Sequence, residues 1–432
     1  MNDIILVTAD SLRADHCGWL GDYNLTPEMD DMIKDSLVYN SAIAPGPRTL
    51  SSVPVSHTGT HFALNDHDTS KYEERIARIR DHIDQFKAIS ESLQEKGYTT
   101  IAYTANPWTS ADNNFNTGFD EFREVGREGG IIKQTFSGTP LEKPARFFDL
   151  WLHKDTWFSQ WRTFYSELVE SIEDANNPVF VWVFLLDTHN PYLVPRQDRH
   201  ESSTLEMYSS VLKANSLLNQ SGGKTAYNTS IDEETISSIK AAYRDSVRSV
   251  DKFIGKLRDD IIDEDRVLIF HSDHGEAFGE HDTFGHEPEL FEENIHVPLF
   301  IYNGGATGTV EQPVSTTRIW DIINSCTSDE IQVPNTWCSK YVISRTEDSF
   351  SISIRGKKWK YINDDETEML FDIQSDPRET EDVSQDNEEI LNELRSTKEE
   401  YLEELPEPVK DTGAVESDQM RDHLKSLGYL QE

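Results

Sequence analysis

Cysteine is scarce in this chain. Only Cys17, Cys326 and Cys338 occur, an odd number with no CxxC pair. That excludes a disulfide framework and a zinc knuckle, and it suits a reducing compartment. Long apolar runs are missing as well. No stretch approaches the roughly 18 apolar residues of a membrane helix. The N-terminus has neither a basic region nor a signal-type apolar segment, because residues 4–7 already read as a strand. A soluble, cytoplasmic protein without membrane insertion is expected. Positive charge is the third shortage: Lys plus Arg total 40 against 79 Asp plus Glu, a net charge of −39. Nucleic acid and anionic membranes are polyanions, so neither is an expected partner. The acidic excess is spread along the chain rather than gathered in a tail. With 10% aromatic and 36% hydrophobic residues the composition is compatible with a real core. It points to a high-salt cytoplasm, where molar salt screens self-repulsion to within about 3 Å.

What is present is an alternation of strands and helices, the pattern of an α/β fold. At 432 residues the chain exceeds what one core usually holds. A large α/β domain over 1–335 and a C-terminal subdomain over 336–432 are expected. Residues 4–8 read as a first central strand. Residues 26–39 read as one helix with a Thr cap, Pro at its first position, and Met29, Ile33 and Leu37 on one face. Residues 46–60 are a loop leading into a short helix. Ile79, Ile83, Phe86, Ile89 and Leu93 mark an amphipathic helix closed by Gly97. Strands follow at 99–104, 179–186 and 297–302. The aromatics of 121–175 read as helices over the core, residues 197–235 as a long polar excursion, and 235–257 as a helix. After about 340, four short strands stand too close together for helices between them, so a small antiparallel sheet is expected. A charged helix and a last one over 423–430 would end the chain.

The most informative stretch is VLIFHSDHGEAFGEHDTFGH, residues 267–286. Four apolar residues suit a buried strand. His271, Asp273, His274, Glu276, Glu280, His281, Asp282 and His286 follow it. In open α/β sheets ligands bind beyond the carboxyl ends of the strands. Asp with His is the donor set of Zn, Mn or Fe, and less so of Ca. Two more strand ends carry such groups: Asp10, and Asp187 with His189.

These segments, taken in order, resemble the sulfatase family of the alkaline phosphatase superfamily. ADSLRADHCG (9–18) and TPEMD (26–30) are similar to its opening. GYTTIAYTANP (97–107) with GFDEF, LDTHNPY (186–192), the 243–257 helix, HSDHGEAFGEH (271–281) and NIHVPLFI follow. KYI (360–362) and LFDIQSDPRE (370–379) resemble its closing segment. The resemblance implies an alkaline-phosphatase-like α/β/α sandwich with a mostly parallel central sheet plus a small C-terminal antiparallel sheet. It implies a hydrolase of sulfate or phosphate esters that uses a divalent cation (Ca, Mn, Zn or Mg). One cation site is expected, from Asp10, Asp273, His274 and a hydroxyl-bearing nucleophile. Asp187, His189 and His286 are the alternative donors for a second cation.

Sulfatases place a Cys or Ser of C/S-x-P-x-R, later converted to formylglycine, ten residues before the Gly of a Thr-Gly pair. Here that pair is Thr58-Gly59, and Thr49 stands at the nucleophile position, with Ser51 and Val53 in place of Pro and Arg. Thr cannot become formylglycine by the known chemistry. A Thr nucleophile resembles the phosphodiesterase and phosphotransferase branches of the superfamily. Ser52 is a second candidate. His189 matches a residue that contacts substrate or protonates the leaving group. His286 stands where sulfatases usually have a substrate-contacting Lys. Arg48 and Asn106 are further substrate-binding candidates. The substrate would be a small-molecule or glycan ester. A head-group phosphotransferase and a metal-binding homologue without catalysis remain the alternatives.

Overall fold

The computed structural model describes residues 2–64, 72–125, 160–175, 178–203, 206–207, 209, 232–263, 265–285, 288–327, 334–346, 351–364 and 367–407. The expected last helix, most of the aromatic 121–175 stretch and most of the 197–235 excursion lie outside them.

An eight-stranded sheet forms the centre. Its strands are β1 (Asp3–Ala9), β2 (Ser36–Tyr39), β3 (Thr99–Thr104), β4 (Glu121–Glu124), β5 (Val179–Leu185), β6 (Arg266–Ser272), β7 (Leu299–Tyr302) and β8 (Gly308–Val310). Their order across the sheet is β8-β2-β7-β6-β1-β5-β3-β4. Only β7 runs against its neighbours; the other pairings are parallel. Parallel sheets are covered on both faces, which is why β5 is apolar throughout rather than alternating. Ile5, Val7 and Ala9 pack under α1 (Pro27–Met32), α5 (Tyr165–Glu173) and α6 (Glu233–Asp260). Ile4 and Leu6 pack on the other face against α2 (Thr49–Thr58), α3 (Tyr72–Gln85), α4 (Ile89–Glu95) and α7 (Ile319–Cys326). The molecule is an α/β/α sandwich.

A four-stranded antiparallel sheet follows: β9 (Tyr341–Arg345), β10 (Ile352–Gly356), β11 (Trp359–Asp364) and β12 (Thr367–Asp372). Helix α8 (Glu388–Glu404) covers it with Leu391 and Leu394 against Ile354, Tyr361 and Leu370. No helix among the described residues is long and apolar enough to cross a membrane.

Three local expectations are corrected. The helix read over 26–39 ends at Met32, and Ser36–Tyr39 is a strand. Pairing of Leu37 and Val38 with Ile301 and Phe300 overrides the helical spacing. Thr26 makes no side-chain cap; Asp251 on α6 accepts from Glu28 N–H and Met29 N–H instead. The 79–93 helix is two helices, because the Glu91 carboxylate reaches back to the Ala88 N–H at 2.9 Å and starts a second one. The strand over 297–302 breaks at Pro298, which cannot donate to a ladder. Residues 296–297 pair with 42–43, and Leu299 onwards joins the central sheet.

Candidate active site

Register decides what meets at the sheet edge. Ala9 pairs with Ser272 on one side and with Leu185 on the other, and Thr104 pairs with Phe184. The residues just past these four strands therefore converge: Asp10, Asp273 with His274, Asp187 to His189, and Asn106. Thr49 arrives separately, as the first residue of α2. All ten residues of that helix are buried.

The side chains of Asp10, Asp273 and His274 are wholly buried, and their ligand atoms lie within 4.8 Å of one another. His274 Nδ1–H donates to the Gly275 carbonyl at 2.8 Å, which sets the tautomer and leaves Nε2 as an acceptor aimed at the cluster. Nε2 is 3.5 Å from Asp10 Oδ1, 3.5 Å from Asp273 Oδ2 and 3.3 Å from Thr49 Oγ1. Asp273 Oδ1 accepts from Ser11 N–H and His274 N–H, at 3.2 and 2.9 Å. Asp273 Oδ2 is buried and, among the described residues, has no partner at hydrogen-bond geometry. Burial and the neighbouring Asp10 hold the Asp273 carboxyl well above the usual range. A buried pair of carboxylates, one oxygen orphaned and a ring nitrogen facing both, is a donor set that fits a divalent cation.

Asn106 bridges the two halves. Its Oδ1 accepts from Trp108 N–H, which turns the amide nitrogen inward, 2.6 Å from Asp10 Oδ2 and 3.3 Å from Thr49 Oγ1. Ser52, one turn along α2, donates its hydroxyl to the Asp273 carbonyl at 2.6 Å. Arg48 is half-buried at the cap position of α2, where its carbonyl accepts from Ser51 and Ser52 N–H. His189 is buried, and its Nδ1–H donates to the Asn190 carbonyl at 2.5 Å. His286 lies outside the described residues. The Asp187 carboxylate accepts from Trp161 N–H and the Ser249 hydroxyl, both at 3.3 Å. Among the described residues it joins no further group of three donors.

Burial pushes Asp187 up to about 7. A raised carboxyl contributes its stability below the unfolded value near 3.9 and loses it as pH rises through about 7. Asp187→Asn can keep both contacts, accepting from Trp161 and donating to Ser249. It should stabilise the protein at pH 8 by at most about 4 kcal/mol, read as a higher Tm, and change little at pH 4. A lower Tm at pH 8 would show that the carboxylate is stabilised as an anion.

Several supporting groups had no clear signal in the sequence. Ser11 sits at φ +58, rare for a residue with a side chain, and donates its hydroxyl to Asp10 Oδ1 at 3.0 Å. The Tyr243 hydroxyl donates to Ser11 O and accepts from Arg13 N–H, at 2.8 and 2.9 Å, and so pins the loop after β1. Tyr243 read as one more apolar position of α6. Glu276 stood only among the groups following the strand, as a supporting or loop residue; it is fully buried, and burial pushes it up to about 7 against the nearby His189 and His274. His271 and His281 serve the scaffold: one bonds Thr8 and Ser272, the other stacks on Phe291 and pairs with Glu293.

A family model described as Sulfatase matches residues 2–325. No curated protein matches the chain. Among solved structures it is similar to the phosphonate monoester hydrolase of Agrobacterium radiobacter, at 17% identity and a TM-score of 0.66, covering 93% of this chain and 95% of that one. A 2-O GAG sulfatase gives 14% identity and a TM-score of 0.66, over 93% and 92%. A protein solved with its substrate D-glucosamine-2-N,6-O-disulfate gives 14% and 0.61, over 95% and 100%. At such identities the likeness is one of fold.

Proposed function

The chain belongs to the sulfatase family of ester-bond hydrolases, and from that premise we propose that it cleaves sulfate or phosphate esters with Thr49 as the nucleophile. The observation that carries this is the convergence of the Thr49 hydroxyl with Asp10, Asp273 and His274 in one buried cluster. Asp10, Asp273, His274 and the Thr49 oxygen would hold one divalent cation: Ca, Mn, Zn or Mg. When bound, the cation lowers the pKa of a hydroxyl beside it and offsets charge building on the transferred group.

The protein supplies the rest. Thr49 Oγ1 loses its proton to solvent and forms a bond to phosphorus or sulfur while the bond to the ester oxygen breaks. The N-terminal end of α2, where Thr49 sits, favours negative charge on that oxygen. His189 donates a proton to the departing alcohol. Water then attacks the Thr49 ester, restoring the hydroxyl and releasing sulfate or phosphate from a monoester, or a phosphate monoester or phosphonate from the other substrates. The Asn106 amide, Arg48 and His286 contact the non-bridging oxygens. The orientation of Asp187 towards Trp161 and Ser249 supports one cation rather than two.

Thr49 in place of a formylglycine precursor favours phosphate esters, phosphodiesters or phosphonates over sulfates, on small molecules or glycans. A phosphotransferase would share every residue named here and differ only in excluding water. The acidic excess supports a high-salt cytoplasm as the setting. The test is a parallel assay in molar KCl of an aryl sulfate, an aryl phosphate and a bis-aryl phosphate, each with Mn, Zn, Ca and Mg. Cation-dependent phenol release is expected, fastest with a phosphate substrate. No turnover with any pair would sink the proposal, and a preference for the sulfate would overturn the inference drawn from Thr49.

A further inference from the structure

Two closing segments of the sequence, KYI and DPRE, have no part in the chemistry above. Their Lys360 and Glu379 nevertheless meet in the interior. Lys360 Nζ on β11 is 2.7 Å from Glu379 Oε1 and 3.1 Å from Glu292 Oε1, and the Lys360 side chain is wholly buried. Glu379 Oε2 accepts from the Glu292 N–H at 2.6 Å, and Arg355 Nη2 lies 3.3 Å from Glu292 Oε2. Three of these groups come from the C-terminal sheet and the segment after it. Glu292 opens the short helical turn Glu292–Ile295 of the central sandwich.

That turn touches both halves of the site. The carbonyls of Glu293 and Asn294 accept from Glu276 N–H and Gly275 N–H, at 2.9 and 2.8 Å, directly after the donors Asp273 and His274. The Ile295 carbonyl accepts from Ala44 N–H at 2.8 Å, five residues before Thr49. There is no slack in the first contact: a Cβ on Gly275 would stand 2.0 Å from the Glu293 carbonyl oxygen. β9 props the same approach to Thr49, since Arg345 N–H donates to Pro45 O and Ser344 Oγ to Ala44 O, at 2.9 and 2.5 Å.

We propose that Lys360, Glu379 and Glu292 form a buried latch by which the C-terminal sheet positions the loop carrying Asp273 and His274 against Thr49. Burying ions costs several kcal/mol each, and apolar residues of like volume commonly serve adhesion as well or better. Adhesion alone therefore does not account for the buried Lys360 and Glu379 beside the partly buried Glu292; fixing one docking geometry does. Glu379 is also held at φ +53, a conformation that surrounding structure must impose on a residue with a side chain. Lys360 and Glu379 are thus positioning residues, acting through Glu292 and the turn it opens.

The latch rests on the cation reading of Asp10, Asp273 and His274, and metal binding separates the two. The full chain is titrated with Mn²⁺, and the visible absorption of the Co²⁺-loaded protein is recorded. Lys360→Met with Glu379→Gln removes the ion pair without leaving a net buried charge. Glu379→Asp keeps the charge and withdraws it by one methylene. Both should weaken Mn²⁺ binding, the double variant by roughly 10- to 100-fold, and both should shift the Co²⁺ band. Arg395→Ala, which breaks the partly exposed pair between α8 and Glu368 of the same sheet, should leave both readouts unchanged. Wild-type Kd and band in folded latch variants would reduce the network to adhesion and overturn the latch. If the double variant does not fold, Glu379→Asp decides alone. No Mn²⁺ binding by the wild-type protein would overturn the cation reading itself.

Discussion

Thr49→Ala should abolish turnover, by roughly 10³-fold or more, while the protein stays folded and keeps most of its cation affinity. The change removes the hydroxyl and one methyl group. Alanine is the best helix former, so the first position of α2 tolerates it. The hydroxyl's contacts with Asn106 and His274 are long, at 3.3 Å each, so little stability is lost with them. Asp10, Asp273 and His274 remain as donors. Ser52→Ala is the matched comparison. It leaves the Asp273 carbonyl without its 2.6 Å donor, which costs about 1–3 kcal/mol and loosens a cation ligand. Turnover should fall but persist. The readouts are kcat for both variants and intact mass of the wild-type protein quenched during turnover, where a phosphoryl or sulfuryl adduct should map to Thr49. Full activity in Thr49→Ala together with a dead Ser52→Ala would move the nucleophile to Ser52.

Asp273→Asn should give two opposite results, depending on whether cation is present. Without cation, the variant should be more stable than wild type at pH 8. The Asp273 carboxyl is held well above its ordinary value by burial and by Asp10. Its contribution to folding is full below the unfolded value near 3.9 and is lost as pH rises. Asparagine behaves as the permanently uncharged form, so the difference should vanish near pH 3–4 and grow above it. With cation the order reverses. Wild type gains about 2.7 kcal/mol at a cation concentration 100 times Kd, and the variant gains little. Tm measured with EDTA and with Mn²⁺ at pH 4 and pH 8, alongside elemental analysis, reads all four states. Unchanged cation content, or a less stable EDTA-treated variant at pH 8, would refute the proposed ligand role.

The donors themselves were legible because each stands directly after an apolar strand. Asp10 follows ILVTA, Asp273 and His274 follow VLIFHS, and Asn106 follows TTIAYTA. A buried strand is written in consecutive residues, and so is its end. Ser11, Tyr243 and Ser52 were not legible. Their part depends on a backbone angle or on a hydroxyl 200 residues away in sequence, and no local pattern records either. The errors in element bounds share one cause. Leu37 sits at helical spacing from Ile33, and Ile89 from Phe86, but pairing with β7 and capping by Glu91 contribute more than spacing does.

By itself the sequence determined the class of fold and the acidic charge, and it marked Asp10, Asp273, His274 and Thr49 as candidates, because composition, strand hydrophobicity and motif spacing are properties of short stretches. Only the tertiary structure decided which donors share a site. The parallel register of β1, β5 and β6 puts Asp10 beside Asp273, Thr49 at the start of α2 meets His274 at 3.3 Å, and Asp187 bonds Trp161 and Ser249. Those outcomes rest on contacts between residues far apart in the chain, whose energies exist only once the sheet has formed.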